Sequence, residues 1–162
     1  QAAFIIGWMC HLQADWYWVK NIFTPIFGYH ASWGDFASRL YLHNVLRSYL
    51  DFQIHQRMNG KISGFLRQAQ PEMWLPFVKD EHLAFWRDYL VRQLQPDSKI
   101  ETVEVFAARQ GISTEAYYHL INSEQQMDLE VFSHIPRRVV ENFYQELIEY
   151  NLGLIHRYLD LD

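Results

Sequence analysis

Apolar residues recur at three- and four-residue steps along most of the chain, which is the spacing that places side chains on one face of an α-helix. No stretch of convincing length alternates apolar and polar residues, as a half-buried strand would. The pattern predicts an all-α fold, a single multi-helix bundle that forms one domain over residues 1–162. The predicted helices cover about 3–23, 33–58, 62–67, 81–94, 99–109, 113–132 and 136–159.

Turn and capping residues mark the predicted helix ends. The first helix should stop before Pro25, because proline pushes the preceding residue out of the helical region. The Asn59–Gly60 pair should end the second helix, since glycine readily adopts the left-handed conformation. Asp80 and Ser113 are predicted N-caps, and Pro136 suits the first position of the last helix.

Composition and charge exclude several classes of function. A net charge of −5 with no basic patch argues against nucleic acid as a partner. The longest apolar run, Ala2–Cys10, is too short to cross a bilayer. It also lacks the basic segment and cleavage site of a signal peptide, so we expect a cytoplasmic protein without a transmembrane segment. The single cysteine, Cys10, excludes an intrachain disulfide and a cysteine-based zinc site.

The first predicted helix is apolar on almost all sides, which indicates a buried position in the centre of the fold. His11 and Asp15 interrupt it four residues apart, so their side chains share one face. A buried Asp15 carboxylate would need a partner. Imidazole and carboxylate groups are ordinary zinc ligands. Two interpretations stay open: a metal-binding pair, or a buried histidine that is hydrogen-bonded to the neighbouring carboxylate.

The second predicted helix carries a polar stripe of His43, Arg47 and Asp51, again four residues apart. If this stripe packs against the first helix, His43 and Asp51 complete a metal site together with the His–Asp pair there. In the alternative arrangement, the Arg47 guanidinium neutralises one of the two aspartates. His30, in the loop between the two helices, is a further candidate ligand.

The His–Asp pair belongs to an ordered series of glycine, aromatic, histidine, aspartate and proline positions within residues 4–58. This series resembles the zinc-dependent phospholipase C family, in particular its small uncharacterised bacterial members. The family's L-Q-x-x-L-D pattern is similar to Leu46–Asp51 here. The other matching positions are Gly7, Trp8, His11, Leu12, Asp15, Ile22, Phe23, Pro25, Phe27 and Gly28.

The resemblance implies a phospholipase C/nuclease-like helical bundle and a zinc-dependent phosphodiesterase acting on a phospholipid or another phosphodiester. It implies that His11 and Asp15 are zinc ligands. Asp15 or Asp51 would serve as the catalytic base or as a ligand that bridges two metal ions. In such sites the metal lowers the pKa of bound water and stabilises charge on a phosphoryl oxygen.

The sequence departs from the family pattern, since it has no H-x-x-x-E segment and residues 1–162 do not include the family's N-terminal amine ligand or its upstream histidine and aspartate. The alternative is therefore a degenerate, non-catalytic helical domain in which His11, Asp15, Arg47 and Asp51 form a buried network. Such a domain would act in binding or oligomerisation, with a homodimer as the simplest form. The chain begins within the apolar pattern of its first helix, and we expect further N-terminal residues ahead of Gln1.

Overall fold

A computed structural model describes residues 2–58 and 60–159, and all regular elements in these ranges are helical, as predicted. Within the described ranges, no helix is long and apolar enough to cross a membrane. Two helices continue into π-helical segments, named π1 and π2. The elements are α1 (Ala2–Trp18), π1 (Val19–Phe27), α2 (Phe36–His55), α3 (Lys61–Gln68), α4 (Asp80–Gln93), α5 (Thr102–Gln110), α6 (Thr114–Ile121), α7 (Glu124–Gln126), π2 (Met127–Phe132) and α8 (Arg137–Leu159).

The described residues form two compact units. The chain passes from the first unit to the second within α2, after Asn44, and returns to the first after Asn122. Unit 1 comprises the residues up to Asn44 and those from Ser123 onward, with α1, π1, α7, π2, α8 and the first part of α2. Unit 2 is Val45–Asn122, with the rest of α2 and α3 to α6. The organisation as a single domain stays a prediction.

In unit 1, α1 packs against α8. Tyr17 of α1 stacks on Phe143 of α8 with ring centroids 5.6 Å apart, and its hydroxyl donates a hydrogen bond to Glu146. Removing apolar side chains from water is the main force that holds such helices together. The buried apolar residues of this unit are Ile22, Phe27, Leu42, Met127, Val131, Ile135, Val140 and Phe143.

In unit 2, α3 packs against α4 and α5 packs against α6. Tyr117 of α6 is fully buried, and its hydroxyl donates to the side chain of Gln110 at the end of α5. Ser113 caps α6 as predicted, because its hydroxyl oxygen accepts from the backbone N–H of Ala116 at 3.3 Å. The buried apolar residues are Val45, Leu46, Tyr49, Val91, Ile100, Val103, Phe106, Ala107, Tyr117, Leu120 and Ile121.

The predicted stop before Pro25 is wrong, because π1 carries the helix through Pro25 to Phe27. Proline normally breaks an α-helix by clashing with the carbonyl of the preceding turn, and the wider π-helical turn moves that carbonyl away. The helix is followed by Gly28, where an added Cβ would lie 2.4 Å from the carbonyl oxygen of Thr24. This close backbone approach requires glycine.

The predicted cap of α4 is also wrong. Asp80 is the first residue of α4, and the N-cap position is Lys79, which makes no side-chain capping bond. The Asp80 carboxylate instead accepts the backbone N–H of Met73, at 3.0 and 3.2 Å. Asp80 therefore ties the preceding loop to the start of α4.

Most other helix ends lie within three residues of their predicted positions, for example Thr102 instead of residue 99 at the start of α5. α2 ends at His55, and Gly60, with φ of +71°, precedes α3; the predicted role of Asn59 falls outside the described residues. The predicted helix over 113–132 is interrupted at Ser123, whose hydroxyl caps the new helix α7. The last helix begins at Arg137, one residue after its predicted start.

Candidate functional site

His11 and Asp15 lie on the solvent face of α1. Their side chains are 70% and 66% exposed, and α1 contributes no buried residue to unit 1. The prediction that this helix is central and buried is therefore wrong, and so is the interpretation of the pair as a buried polar contact. Asp15 is hydrated, so it does not need the compensating partner that a buried carboxylate requires.

The geometry of the pair fits two neighbouring ligands of a metal ion. His11 Nε2 lies 3.4 Å from Asp15 Oδ2. A nitrogen and an oxygen bound at about 2.1 Å to a tetrahedral zinc ion are separated by about 3.4 Å. A cation could therefore bind between the two atoms with little movement of either side chain, and its remaining positions would face solvent.

His43 is buried in unit 1 and is surrounded by aromatic rings. The indole N–H of Trp18 donates to His43 Nε2 at 2.9 Å. The rings of Phe23 and Phe27 lie 4.8 and 5.4 Å from the imidazole, measured between centroids. An indole nitrogen can only donate, so Nε2 must be the acceptor and its lone pair is engaged. The structure thus places His43 in the core, with its Nε2 engaged by Trp18.

Asp51 belongs to unit 2, where its Oδ2 accepts the hydroxyl of Thr102 at 2.8 Å. Burial raises the pKa of the Asp51 carboxyl, while the Thr102 hydrogen bond and the Arg47 charge act in the opposite direction. The Arg47 guanidinium lies over the Phe106 ring, 4.7 Å from its centroid. Arg47 and Asp51 thus have different principal partners, one aromatic and one hydroxylic.

His30 is exposed in the loop after π1, and its ring lies nearly perpendicular to that of Tyr29, with the ring centroids 5.5 Å apart. This loop is held by Arg39, a buried residue that the sequence analysis did not single out. The Arg39 guanidinium donates to the carbonyl oxygens of Trp33, Gly34 and Tyr29 at 2.6, 2.7 and 3.1 Å. Nothing in the spacing of Arg39 distinguishes it from a surface arginine, so its role emerges only from the packed loop.

Of the predicted ligands, the structure brings together His11 and Asp15. Over residues 2–58 and 60–159 no group of three or more His, Cys, Asp or Glu side chains is arranged to hold a metal ion. A catalytic zinc ion generally has three protein ligands and one open position. The described side chains therefore fit a cation with two protein ligands, and they do not assemble a three-ligand zinc centre.

An exposed apolar stripe runs beside the His–Asp pair along α1 and into π1. It consists of Trp8, Leu12, Trp16 and Val19, each at least 40% exposed. Lys20 covers part of it, with its Nζ 4.8 Å from the centre of the Trp16 ring. Several large apolar side chains in a row on a solvent face are typical of a surface that contacts another molecule.

Unit 2 contains a groove that the sequence analysis missed, formed by the end of α2 together with α4 and α5. His55 is half-buried beside the groove, and its Nε2 donates to the carbonyl oxygens of Gln93 and Gln95 at 3.1 and 3.0 Å. The only sequence signal for the groove was the spacing of Arg47 and Asp51, which both line it.

Comparisons with family models, curated proteins and solved structures gave no significant match to this chain. The resemblance to the phospholipase C family therefore rests on the residues of the 4–58 segment alone.

Proposed function

We propose that this chain is a metal-dependent phosphodiester hydrolase of the phospholipase C type, with His11 and Asp15 as ligands of a zinc ion. The observation that carries the proposal is the 3.4 Å separation of His11 Nε2 and Asp15 Oδ2 on an open helix face. The ordered pattern within residues 4–58 supports a phospholipase C/nuclease-like bundle and a phosphodiester substrate.

In this proposal Asp15 has two functions, because a carboxylate has two oxygen atoms. Asp15 Oδ2 would hold the metal together with His11 Nε2, and Asp15 Oδ1 would be available to accept a proton. A bound zinc ion supplies a Lewis acid for the phosphoryl oxygen. Trp8 and Trp16, on the same exposed face, offer apolar surface to the acyl chains of a phospholipid. Asp51 lies in unit 2, where its Oδ2 accepts the Thr102 hydroxyl, and it is given no role in this proposal.

Zinc titration of the metal-free protein tests the proposal, with binding followed by calorimetry and metal content by elemental analysis. We expect about one zinc ion per chain, and its loss in both His11→Ala and Asp15→Ala. His82→Ala is the matched control, because His82 is also an exposed histidine beside a carboxylate, 3.9 Å from Glu81. Hydrolysis of bis(p-nitrophenyl) phosphate should require zinc and His11.

Zinc binding that is unchanged in His11→Ala, or a zinc content below about one tenth of an equivalent, would contradict the metal site. Zinc binding that depends on His11, without any hydrolysis of phosphodiesters, would instead support a degenerate site. The two measurements together separate a missing metal from a missing activity.

A second candidate function is a non-catalytic helical domain that acts in oligomerisation. The exposed stripe of α1 favours it, because exposed apolar stripes commonly form contacts between chains. The buried polar network that the sequence analysis predicted for this alternative is wrong, since His11 and Asp15 are exposed. Sedimentation velocity tests it: a homodimer that dissociates in Trp16→Glu, but persists in the control Phe85→Glu on α4, would support the stripe as an interface.

A further inference from the structure

The groove of unit 2 has a volume of about 450 Å³, within the usual range of small-molecule sites. Its walls are mainly apolar and aromatic, with Ile54 and Met58 near the end of α2, Trp86 and Leu90 from α4, and Phe106 from α5. Trp86 is 57% exposed and Leu90 is 42% exposed, so part of this apolar wall is open to solvent. A molecule bound there would cover surface that now contacts water.

The groove also carries two carboxylates and two arginines, and the carboxylates differ from the arginines in their hydrogen bonding. Each carboxylate accepts a hydroxyl: Asp51 from Thr102 at 2.8 Å, and Glu101 from Tyr89 at 3.0 Å. The two arginines of the groove, which lie on α2 and α5, make no hydrogen bond or ion pair with any residue that the structure describes.

The Arg47 guanidinium contacts an aromatic ring of the groove. Its central carbon lies over the face of the Phe106 ring, 4.7 Å from the ring centroid, and a guanidinium group in such a contact can still donate its N–H groups to a ligand. Arg109 follows Phe106 by three residues on α5, so it lies on the same helix face. Arg47, Phe106 and Arg109 all line the groove, so the groove wall carries two guanidinium groups together with an aromatic ring.

We propose that this groove binds an organic anion with an elongated apolar body, with the anionic group held by Arg47 and Arg109. A carboxylate or phosphate oxygen pair matches the planar donor pattern of a guanidinium group. The apolar body lies along Trp86, Leu90 and Ile54, where it replaces water. The proposal uses residues of unit 2 alone, so it does not depend on the zinc pair of α1.

Isothermal titration with decanoate and with decyl phosphate, both as monomers in solution, tests the proposal. Arg47→Gln and Arg109→Gln should each weaken binding by about tenfold, because each removes a charge-assisted hydrogen bond. Arg67→Gln is the matched control, since Arg67 is an exposed arginine of the same unit that does not line the groove. Arg67→Gln should bind as the unchanged protein does.

The length of the apolar body gives a second, independent readout. Each methylene removed between decanoate and hexanoate should weaken binding by about fourfold if the chain is fully buried. Equal affinity for inorganic phosphate and decyl phosphate would overturn the apolar part of the proposal, because it would show a simple anion site.

Charge reversal of the ligand tests the role of the arginines. Decyltrimethylammonium that binds as tightly as decanoate would overturn the proposal, as would equal losses in Arg47→Gln, Arg109→Gln and Arg67→Gln. Circular dichroism and thermal unfolding of each variant show whether it is folded. If Arg47→Gln does not fold, Arg109→Gln alone provides the test, since Arg109 is exposed.

Discussion

α1 and the second part of α2 differ in composition and in burial. The more apolar helix, α1, is the less buried of the two. α1 is apolar along almost its whole length, yet none of its residues is buried. The second part of α2 carries Arg47, Ser48 and Asp51, yet Val45 and Leu46 on it are fully buried. Burial of a helix face is therefore decided by the elements that pack on it, and hydrophobicity shows only which faces would benefit from such packing.

The same four-residue spacing gives two kinds of chemistry on these two helices. His11 and Asp15 are four residues apart on a face that water reaches, so both side chains stay hydrated and open to a ligand. Arg47 and Asp51 have the same spacing and are also exposed, but desolvation of the Asp51 carboxyl beside the groove raises its pKa, and an aromatic ring contacts the Arg47 guanidinium. The four-residue step brings side chains to one face, and their surroundings determine what they can do.

The largest expected effect comes from identical truncations on the two helices. Leu46→Ala should lower the free energy of unfolding by about 2 to 5 kcal/mol, because Leu46 is fully buried and its loss leaves a cavity. Leu12→Ala should cost no more than about 0.5 kcal/mol, since Leu12 is 53% exposed. Urea unfolding followed by circular dichroism measures both. Similar losses in the two variants would mean that α1 is covered in solution.

A smaller effect should distinguish two tryptophans in α1. Trp18→Phe removes the N–H that donates to the buried His43 Nε2 at 2.9 Å. We expect a loss of about 1 to 3 kcal/mol, because a buried acceptor then lacks this donor. Trp16→Phe is the control, since Trp16 is 60% exposed. If both variants unfold at the same urea concentration, the Trp18–His43 hydrogen bond does not contribute to stability.

The smallest effect is a pH dependence at Asp51. Its pKa is raised above the ordinary value of 3.8, mainly by burial, so the folded state binds the proton more tightly than the unfolded state. Stability should therefore fall as pH rises from about the ordinary value through the folded pKa, and the cost should persist above it. Asp51→Asn removes the charge and should be the more stable form at neutral pH.

Urea midpoints measured from neutral to acid pH check the sign of this effect. The advantage of Asp51→Asn should shrink as pH falls and the carboxyl becomes protonated. Thr102→Val should enlarge the effect in the unsubstituted Asp51 background, because the Thr102 hydroxyl holds the pKa of Asp51 down. An Asp51→Asn variant that loses stability at neutral pH would contradict burial as the dominant influence.

Local signals in the sequence predicted much of the secondary structure. The spacing of apolar residues predicted the all-α class, and Ser113 was correctly predicted as a cap because a cap depends on residues three positions away. Pro25 was misleading, since the π-helical turn that admits it is not visible in the residue pattern. The four-residue spacing of His11 and Asp15 correctly placed them side by side.

The parts of the candidate sites that could not be predicted depend on contacts between distant segments. Trp18 and His43 are 25 residues apart, and Asp51 and Thr102 are 51 residues apart. The groove similarly combines residues of α2, α4 and α5. No periodic pattern records which of these segments meet, because many packings bury a similar amount of apolar surface.

The sequence by itself determined that the chain is helical, where most helices lie and which side chains share a helix face, because these properties arise from interactions over one or two turns. Tertiary structure alone decided that α1 exposes its His–Asp pair, that His43 accepts a hydrogen bond from Trp18, and that Arg47 lines a groove. The physical reason is that hydration and burial depend on neighbours far away in the chain, and these same neighbours set the charge state and partners of each functional group.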